Sequence, residues 1–287
     1  MPIVLENVSY TYAPKTPFEC TALRNVSLKI EDGEFVGIMG KTGCGKSTLL
    51  QIIDGLIAPN QGRALLDGRD INEKHYPKSE LREKIGVVFQ YPEYQLFETT
   101  VQKDAAFGLK HRKISKEQAK KQVKEALELV GFDYDKVREF SPFGFSGGEK
   151  RRLAIACVLA CKPKILILDE PVASLDSTGR EEFMTLLKKL NDNGTTIIMI
   201  SHNTDALAEY AKRIIVMDNG SIIRDDSAKN VLSDCDFLEN NGLRSGQVSE
   251  IVQTMKSRGI DIPQSIIKYD ELLSFLAGNA DRKERDV

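Results

Sequence analysis

The 287-residue sequence lacks long apolar runs, regularly spaced cysteines and a surplus of charge of one sign. No run approaches the roughly 18 apolar residues of a membrane helix, and the runs at residues 165–168 (ILIL) and 197–200 (IIMI) are strand-sized. The five cysteines are odd in number and lack metal-ligand spacing, which favours a reducing compartment. With 40 basic and 42 acidic residues, no overall field attracts nucleic acid or anionic lipid. If the chain works at a membrane, we expect another subunit to supply the spans.

What is present is the patterning of a globular α/β protein. The first 75 residues read mostly as strands, with Val26, Leu28 and Ile30 alternating as in a half-buried strand. The two strongly apolar runs alternate with helical stretches, which indicates a parallel sheet covered on both faces. Asn219-Gly220, between two apolar runs, predicts a hairpin.

Helical patterns dominate the middle and the end of the chain. Ser115 and Gln118 form a predicted capping box, and an apolar stripe follows until Gly131. Beyond about residue 228 the pattern changes to short helices. These carry two further apolar stripes, at residues 248–255 and 272–276.

Residues 40–48 (GKTGCGKST) fit the pattern G-x-x-x-x-G-K-[ST] and lie between an apolar strand-like run and a helix-like one. Glycines let backbone N–H groups converge on an anion, and the N-terminus of the following helix adds partial positive charge. We therefore predict a phosphate-binding loop in which Lys46 reaches the β- and γ-phosphates and Ser47 ligates Mg²⁺. The residues assigned to the nucleotide here are Gly40, Lys41, Thr42, Gly43, Cys44, Gly45, Lys46, Ser47 and Thr48.

Two adjacent carboxylates, Asp169 and Glu170, follow the apolar run 165–168. They would repel each other unless a cation or a reacting water used them. We assign Asp169 to Mg²⁺ and Glu170 to the attacking water, as its polariser or general base. His202 follows the next apolar run, and a strand-end imidazole there can contact the γ-phosphate.

The segment 145–149 (FSGGE) resembles the LSGGQ signature of ABC transporter nucleotide-binding subunits, and the wider resemblance covers roughly residues 3 to 228. In that family the signature binds the γ-phosphate held by the opposite subunit, so that two subunits enclose two ATP molecules. The resemblance implies that a second helix N-terminus is directed at the same anion. The residues it assigns to ATP are Ser146, Gly147, Gly148 and Glu149.

Other positions match the family one by one. Gln90 resembles the Q-loop glutamine that contacts Mg²⁺ and the attacking water, and Asp176, which the resemblance assigns to ATP, lies in a segment that resembles the D-loop. Tyr12 resembles the aromatic residue that stacks on adenine, with Tyr10 as its rival, and His202 resembles the switch histidine. The resemblance thus implies that Glu170, His202 and Gln90 are catalytic and that Ser47, Gln90 and Asp169 hold Mg²⁺.

Three residues depart from the family pattern: Phe145 replaces Leu, Glu149 replaces Gln, and Val172 stands where Thr is usual. None of them removes a phosphate donor. Glu149 is the departure that bears on the affinity of the signature side for ATP.

A narrower resemblance is to the ATPases of energy-coupling factor (ECF) vitamin importers. Residues 92–108 and 141–156 resemble their Q-loop and signature regions, and residues 11–23 resemble the longer adenine-contacting loop of the second of their two ATPase types. The pattern at 257–263 also fits, where a helical extension supports pairing of the ATPases. The two C-terminal stripes are then expected to form an interface rather than an isolated core.

These observations together predict an α/β P-loop cassette with a mixed sheet core, an antiparallel β subdomain and a helical signature subdomain. We expect a nucleotide-binding domain over residues 1–228, with helical subdomain about 91–160, and a helical dimerisation extension with a charged tail over 229–287. The resemblance implies an ATP- and Mg²⁺-dependent importer ATPase for a vitamin or another micronutrient. Its expected place is the cytoplasmic face of the cell membrane. The expected partners are a related ATPase, favoured over self-pairing, a transmembrane coupling subunit and a substrate-binding membrane subunit, with no nucleic acid.

Two finer hypotheses concern single side chains. Glu93, Glu98 and Asp104 are expected to form an acidic groove for arginine-bearing helices of the membrane partner. Cys44, at a helix N-terminus among cations, is either a nucleophilic thiol that bound ATP protects or a small residue that merely fits.

Three alternatives are open. The first is an ATPase of an ordinary ABC importer for metal ions such as cobalt or nickel. The second is a soluble ABC ATPase, although a single signature and the lack of a long heptad run argue against the translation and repair types. The third is a P-loop kinase, which the serine and two glycines of the signature disfavour.

Overall fold

The computed structural model describes residues 2–110, 112–172 and 177–285, and the side chains of Ser177 and of residues 279–285 lie outside this description. Its strands are β1 Ile3–Tyr12, β2 Cys20–Ile30, β3 Phe35–Gly40, β4 Gln61–Leu66, β5 Arg69–Asp70, β6 Ile85–Val88, β7 Ile165–Asp169, β8 Thr196–Ile200, β9 Arg213–Asp218 and β10 Ser221–Ser227. Its helices are α1 Lys46–Ile53, α2 Lys78–Lys84, α3 Val101–Ala106, α4 Lys116–Leu129, α5 Tyr134–Val137, α6 Gly147–Leu159, α7 Ser177–Asp192, α8 Thr204–Tyr210, α9 Ala228–Leu232, α10 Cys235–Asn240, α11 Gln247–Ser257 and α12 Tyr269–Arg285. Short 3₁₀ turns cover Pro92–Gln95, Phe107–Leu109 and Pro142–Gly144.

The strands form two sheets. A four-stranded antiparallel sheet has the order β2-β1-β4-β5, and a six-stranded mixed sheet has the order β10-β9-β3-β8-β7-β6. Helix α1 lies between them, because its apolar side chains share one core with both sheets. This combination of a mixed core sheet, an antiparallel sheet and a helical region confirms the predicted cassette architecture.

The parallel part of the mixed sheet brings four distant loops together. Strands β3, β8, β7 and β6 are parallel neighbours in that order. Their carboxyl ends are followed by the predicted phosphate loop, His202, Glu170 and Gln90, respectively. Ligands of open α/β sheets bind at this edge, so the topology alone gathers the residues assigned to hydrolysis.

Local predictions hold where the pattern is strongest. Ser115 and Gln118 form the expected capping box at the start of α4. β9 and β10 pair as an antiparallel hairpin through Asn219 and Gly220, whose φ values of 45° and 81° are those that a two-residue hairpin turn requires. The stretch 91–160 contains α3 to α6, which pack on the face of the mixed sheet opposite to α1.

The C-terminal stripes correct one expectation. Val248, Val252 and Leu272 are buried in a small core of the extension itself, together with Ile262 and Ile266. The first part of the extension also joins the main core through the buried side chains of Val231, Leu232, Leu238 and Leu243. The expectation that the stripes form an interface and no core is therefore wrong for these residues, because the loop after α11 folds back over them. Exposed apolar side chains remain at Ile251, Leu273 and Leu276.

Across residues 2–110, 112–172 and 177–285, no helix is both long and apolar enough to cross a membrane.

Candidate functional site

The glycine-rich loop is shaped by its own backbone. Gly45 precedes α1 with a φ of 108°, and a Cβ there would clash with the carbonyl of Ala22. Lys46 is buried, and its Nζ donates to the carbonyls of Gly40 at 2.6 Å and Lys41 at 2.8 Å. Its third donor faces only the weak acceptor Sγ of Cys44, at 3.8 Å. The loop therefore curls around an ammonium that has one donor available for a stronger acceptor such as a phosphate oxygen.

Ser47 and Asp169 meet beside this loop. The Ser47 hydroxyl donates to Oδ2 of Asp169 at 3.2 Å, and both residues line a cavity of about 370 Å³ together with Gln90. Burial raises the pKa of Asp169, while the Ser47 bond and the Lys46 charge lower it. Hydroxyl, carboxylate and amide oxygens are the ligands that Mg²⁺ prefers. The three residues assigned to Mg²⁺ thus lie together and offer suitable donor atoms.

Glu170 and His202 are joined at the ends of β7 and β8. The backbone N–H of His202 donates to Oε1 of Glu170 at 2.9 Å, and the imidazole Nε2 lies 3.7 Å from the same oxygen. Burial raises the pKa of Glu170 to about 7, with the His202 N–H opposing the shift and Asp169 adding to it. Burial also lowers the pKa of His202. A carboxyl group whose pKa lies close to 7 is well suited to accept a proton from water.

The aromatic residue assigned to adenine lies against the start of α1. The hydroxyl of Tyr12 is 3.1 Å from that of Thr48 and donates to Gln51 at 3.3 Å. Tyr10 packs edge-on against the ring of Tyr12, with ring centroids 4.8 Å apart, and against the core between the sheets. Tyr12 is the more exposed of the two rings, so its face is the one that a base can reach.

The signature segment caps α6 and presents bare backbone to solvent. Ser146 and Glu149 form a reciprocal capping box in which the carboxylate accepts from both the N–H and the hydroxyl of Ser146. These bonds lower the pKa of Glu149. Apart from the backbone of α6 itself, a Cβ added at Gly147 or Gly148 would meet no atom of the described residues within 4 Å. The fold of this chain therefore gives no reason for glycine at either position, whereas close approach of an external ligand would.

The signature and the phosphate loop line different cavities. Ser146, Gly148 and Glu149 border a cavity of about 930 Å³ between α4, α6 and α7, whereas Ser47, Gln90 and Asp169 border the smaller one described above. The two predicted groups of nucleotide-binding residues therefore lie at separate places in this chain. Asp176, the predicted D-loop residue, lies outside the described residues.

Both finer hypotheses need correction. Asp104 is only 4% exposed, and its Oδ1 accepts hydrogen bonds from the N–H groups of Phe97 and Glu98, so it stabilises its own loop. Glu98 is paired with Lys110 at 2.6 Å. Asp104 is therefore too deeply buried to meet a partner's arginine, although its Oδ2 has no hydrogen-bond partner in the described residues, and Glu98 is already paired with Lys110.

Cys44 is 5% exposed, with its thiol packed under the phosphate loop. A nucleophile needs access to its reagent. The hypothesis of a reactive thiol is therefore wrong for this conformation, and the alternative of a small residue that fits agrees with the structure.

Arg151 is a residue of the site that the sequence reasoning missed. It is 2% exposed, and its Nη2 donates to the carbonyls of Glu170 at 2.9 Å and Gln90 at 3.4 Å. In the sequence it stands within a basic run and reads as surface. The signal that could have found it is helical spacing, since Arg151 shares a face of α6 with the buried Ala154 and Ile155.

Comparisons with known proteins agree with this geometry. The ABC transporter family model matches residues 23–173. The energy-coupling factor transporter ATP-binding protein EcfA2 of Clostridium perfringens is 46% identical over 272 residues, which cover 94% of this chain and 95% of that protein. The protein of the same name from Streptococcus pyogenes serotype M5 is 43% identical and covers 96% of this chain and 99% of its own length.

Solved structures give the same result. CbiO1 of Clostridium perfringens, part of the ABC transporter complex cbiONQ, superposes with a TM-score of 0.72 at 34% identity and covers 88% of this chain and 98% of its own. A dimeric ATP-binding cassette in a post-hydrolysis state, bound to ADP and phosphate, superposes with a TM-score of 0.71 at 34% identity, covering 79% and 98% of the two chains.

Proposed function

Because the chain belongs to the energy-coupling factor transporter ATP-binding proteins of the ABC transporter family, we propose that it powers the uptake of a vitamin or another micronutrient. Membership in this family makes the chain an ATPase whose hydrolysis is coupled to transport. ABC ATPases work as dimers together with membrane subunits, and this chain is such a subunit.

The observation that carries the proposal is the division of the site into two incomplete halves. The phosphate loop and the Ser47–Asp169 corner form one half, and the bare backbone at Gly147 and Gly148 forms the other, facing a different cavity. Two subunits related by a dimer axis would place the signature of each over the phosphate loop of the other. Nucleotide binding would then drive closure of the dimer, and hydrolysis of the nucleotide would reverse it.

Each residue has a definite task in this proposal. Lys46 supplies a point charge for the terminal phosphates, and Ser47, Asp169 and Gln90 would hold Mg²⁺, which neutralises charge on the phosphate oxygens when bound. Glu170 takes the proton of the attacking water. His202 holds the carboxylate through its backbone N–H, and its exposed imidazole can reach the γ-phosphate.

The proposed assembly is a heterodimer with a related ATPase, bound peripherally at the cytoplasmic face of the cell membrane. It includes a transmembrane coupling subunit and a substrate-binding membrane subunit. The exposed apolar side chains of Ile251, Leu273 and Leu276 support the extension, residues 229–287, as a dimerisation surface. They lie on α11 and α12, the two helices that pack on each other through the small C-terminal core.

Co-purification tests this assembly. A tagged Glu170→Gln variant, solubilised from membranes of its native source with ATP and Mg²⁺, should retain a second, different ATPase and membrane subunits identified by mass spectrometry. A differently tagged second copy of this chain should not be retained. Recovery of that copy alone would contradict the heterodimer, and recovery of no membrane protein would contradict the transport role.

A matched control isolates the signature. Glu170→Gln combined with Gly148→Val leaves the phosphate loop intact but fills the space above the signature helix. This double variant should still bind a fluorescent ATP analogue and retain less of the second ATPase, since only the extension then contributes to pairing. Equal retention of the partner ATPase by both variants would show that the signature takes no part in pairing.

A further inference from the structure

Arg151 is a buried cation with too few partners. It lies in the second turn of α6 and donates through Nη2, while its Nε and Nη1 have no hydrogen-bond partner within the described residues. A guanidinium has five N–H donors and stays charged in proteins. Burying such a group without full pairing costs free energy, and a hydrophobic side chain would fill the position more cheaply. A buried arginine here therefore requires a reason other than packing.

The carbonyl that Arg151 binds belongs to a strained residue. Glu170 has a φ of 49°, in the left-handed region that non-glycine residues rarely adopt. Such a conformation persists only where surrounding contacts hold it. The N–H of Glu170 donates to the carbonyl of Ile200 at 3.1 Å, its side chain accepts from His202, and its carbonyl accepts from Arg151. Arg151 is thus the residue of α6 that helps to hold the backbone conformation of Glu170.

A countercharge for Arg151 comes from a neighbouring surface segment. Glu93 lies in the 3₁₀ turn Pro92–Gln95, and its Oε2 is buried without a hydrogen-bond partner in the described part of the chain. Burial lowers the pKa of Arg151, whereas the charges of Glu93 and Tyr91 raise it. The 3₁₀ turn packs on α6, so the two opposite charges attract each other there, although no hydrogen bond or salt bridge joins Glu93 to Arg151 in the described residues. Glu93 is half-buried, and the role expected for it in a groove for a partner's arginine stays a prediction.

We propose that Arg151 is a positioning residue that holds the Gln90 and Glu170 peptides in place, and that Glu93 links this clamp to the segment Pro92–Gln95. The inference rests on the hydrolytic role proposed for Glu170. In the described residues the hydrogen bonds of Arg151 go to Gln90 and Glu170 and none goes to the phosphate loop, so we expect its loss to lower the rate of hydrolysis far more than the affinity for nucleotide. A displacement of residues 92–95 reaches the Glu170 carboxylate through this pair of charges.

The test measures kcat, KM and nucleotide affinity for Arg151→Met in the complex purified through a tag on this chain. We expect kcat to fall about tenfold or more, with KM and the Kd of a fluorescent ATP analogue unchanged within about twofold. Arg151→Lys should recover part of the rate, because an ammonium keeps the charge but cannot donate with the planar fork. A kcat within twofold of the unaltered complex for Arg151→Met would overturn the inference.

Arg112 offers a matched control. Its two terminal nitrogens donate to the carbonyls of Cys161 at 2.6 Å and Glu83 at 3.0 Å, so Arg112→Met loses bonds of the same kind near the amino ends of β6 and β7, at the sheet edge opposite the site. We expect Arg112→Met to lower the melting temperature without changing kcat by more than about twofold. If both arginine variants lowered kcat in proportion to their loss of folded protein, Arg151 would be merely structural and the inference would fail.

The link to Glu93 is tested by a double-mutant cycle on kcat. Glu93→Gln should lower kcat, and Glu93→Gln combined with Arg151→Met should lower it no further than Arg151→Met alone. If the double variant lowered kcat by the product of the factors measured for the two single variants, the link would be contradicted. Glu170→Gln is measured in parallel: full activity there would overturn the role of Glu170, whereas a slow Glu170→Gln beside an unaffected Arg151→Met overturns this inference alone.

Discussion

The backbone N–H of His202 donates a hydrogen bond to Oε1 of Glu170 over 2.9 Å, so two strand-end residues assigned to hydrolysis are joined within the chain itself. Because a peptide N–H makes this bond, it does not depend on the protonation of the imidazole. The carboxylate of Glu170 therefore has a defined direction and a pKa set mainly by its burial.

The rate of hydrolysis should depend on pH through Glu170. Burial raises its pKa to about 7, and only the ionised carboxylate can accept a proton from water. We expect kcat/KM for ATP to fall as the pH is lowered through about 7, approaching tenfold per pH unit, and to level off above it. Nucleotide affinity over the same range serves as the control. A flat profile of kcat/KM between about pH 5 and pH 9 would contradict the assignment.

Replacing this carboxylate should stabilise the fold at alkaline pH. Since the pKa of Glu170 is raised from 4.5 to about 7 on folding, the folded state binds the proton more tightly, and stability is lost as the pH rises through this window. Glu170→Gln does not suffer that loss. The free energy of unfolding of the variant, relative to that of the unaltered chain, should therefore be larger at pH 8 than at pH 5, by at most about 3 kcal/mol. Urea unfolding at both pH values measures the gain, and a difference independent of pH would refute it.

Two glycine substitutions should separate folding from function. Gly45→Ala forces a Cβ into left-handed backbone and against the Ala22 carbonyl, so we expect a loss of at least about 1–3 kcal/mol of stability. Gly148→Ala meets open space in a helical conformation and should be neutral or slightly stabilising. It should nevertheless lower the ATPase rate of the complex about tenfold or more, because the methyl group stands where the partner's phosphate is proposed to lie. Thermal unfolding measures the effect on stability, and a phosphate-release assay measures the effect on the ATPase rate. An unaffected rate in Gly148→Ala would contradict the proposal that the signature acts on the nucleotide held by the opposite subunit.

The cysteines should differ in reactivity according to their access to solvent. Cys20 is exposed on β2, whereas Cys44 is buried under the phosphate loop. A maleimide should therefore modify Cys20 well before Cys44 in the folded protein, as peptide mass spectrometry over time can show. In Cys20→Ser, the Cys44 peptide should label only as fast as the chain unfolds. Prompt labelling of Cys44 would mean that the loop opens readily in solution.

The residues assigned to the nucleotide could be predicted because each is marked by a local pattern. The spacing of Gly40, Gly45 and Lys46 suits phosphate wherever a strand precedes it and a helix follows it, and Glu170 and His202 stand at the ends of strands too apolar to lie anywhere but in the sheet. The capping box at Ser115 and the turn at Asn219 are equally local, since their partners lie within three residues. Family resemblance added the signature, whose two glycines have no role that the fold of one chain explains.

The sequence by itself thus determined the sheet, the phosphate loop and the order of the strand-end residues, because short-range spacing and apolar runs specify them. Only the tertiary structure decided that Arg151 lies buried beneath Glu170, that Asp104 supports its own loop and that Val248 and Leu272 share a core. Whether a charged or apolar side chain on an amphipathic helix faces solvent, a partner or the interior depends on segments far away in the chain. Burial and charge pairing are properties of that packing, and no local pattern contains them.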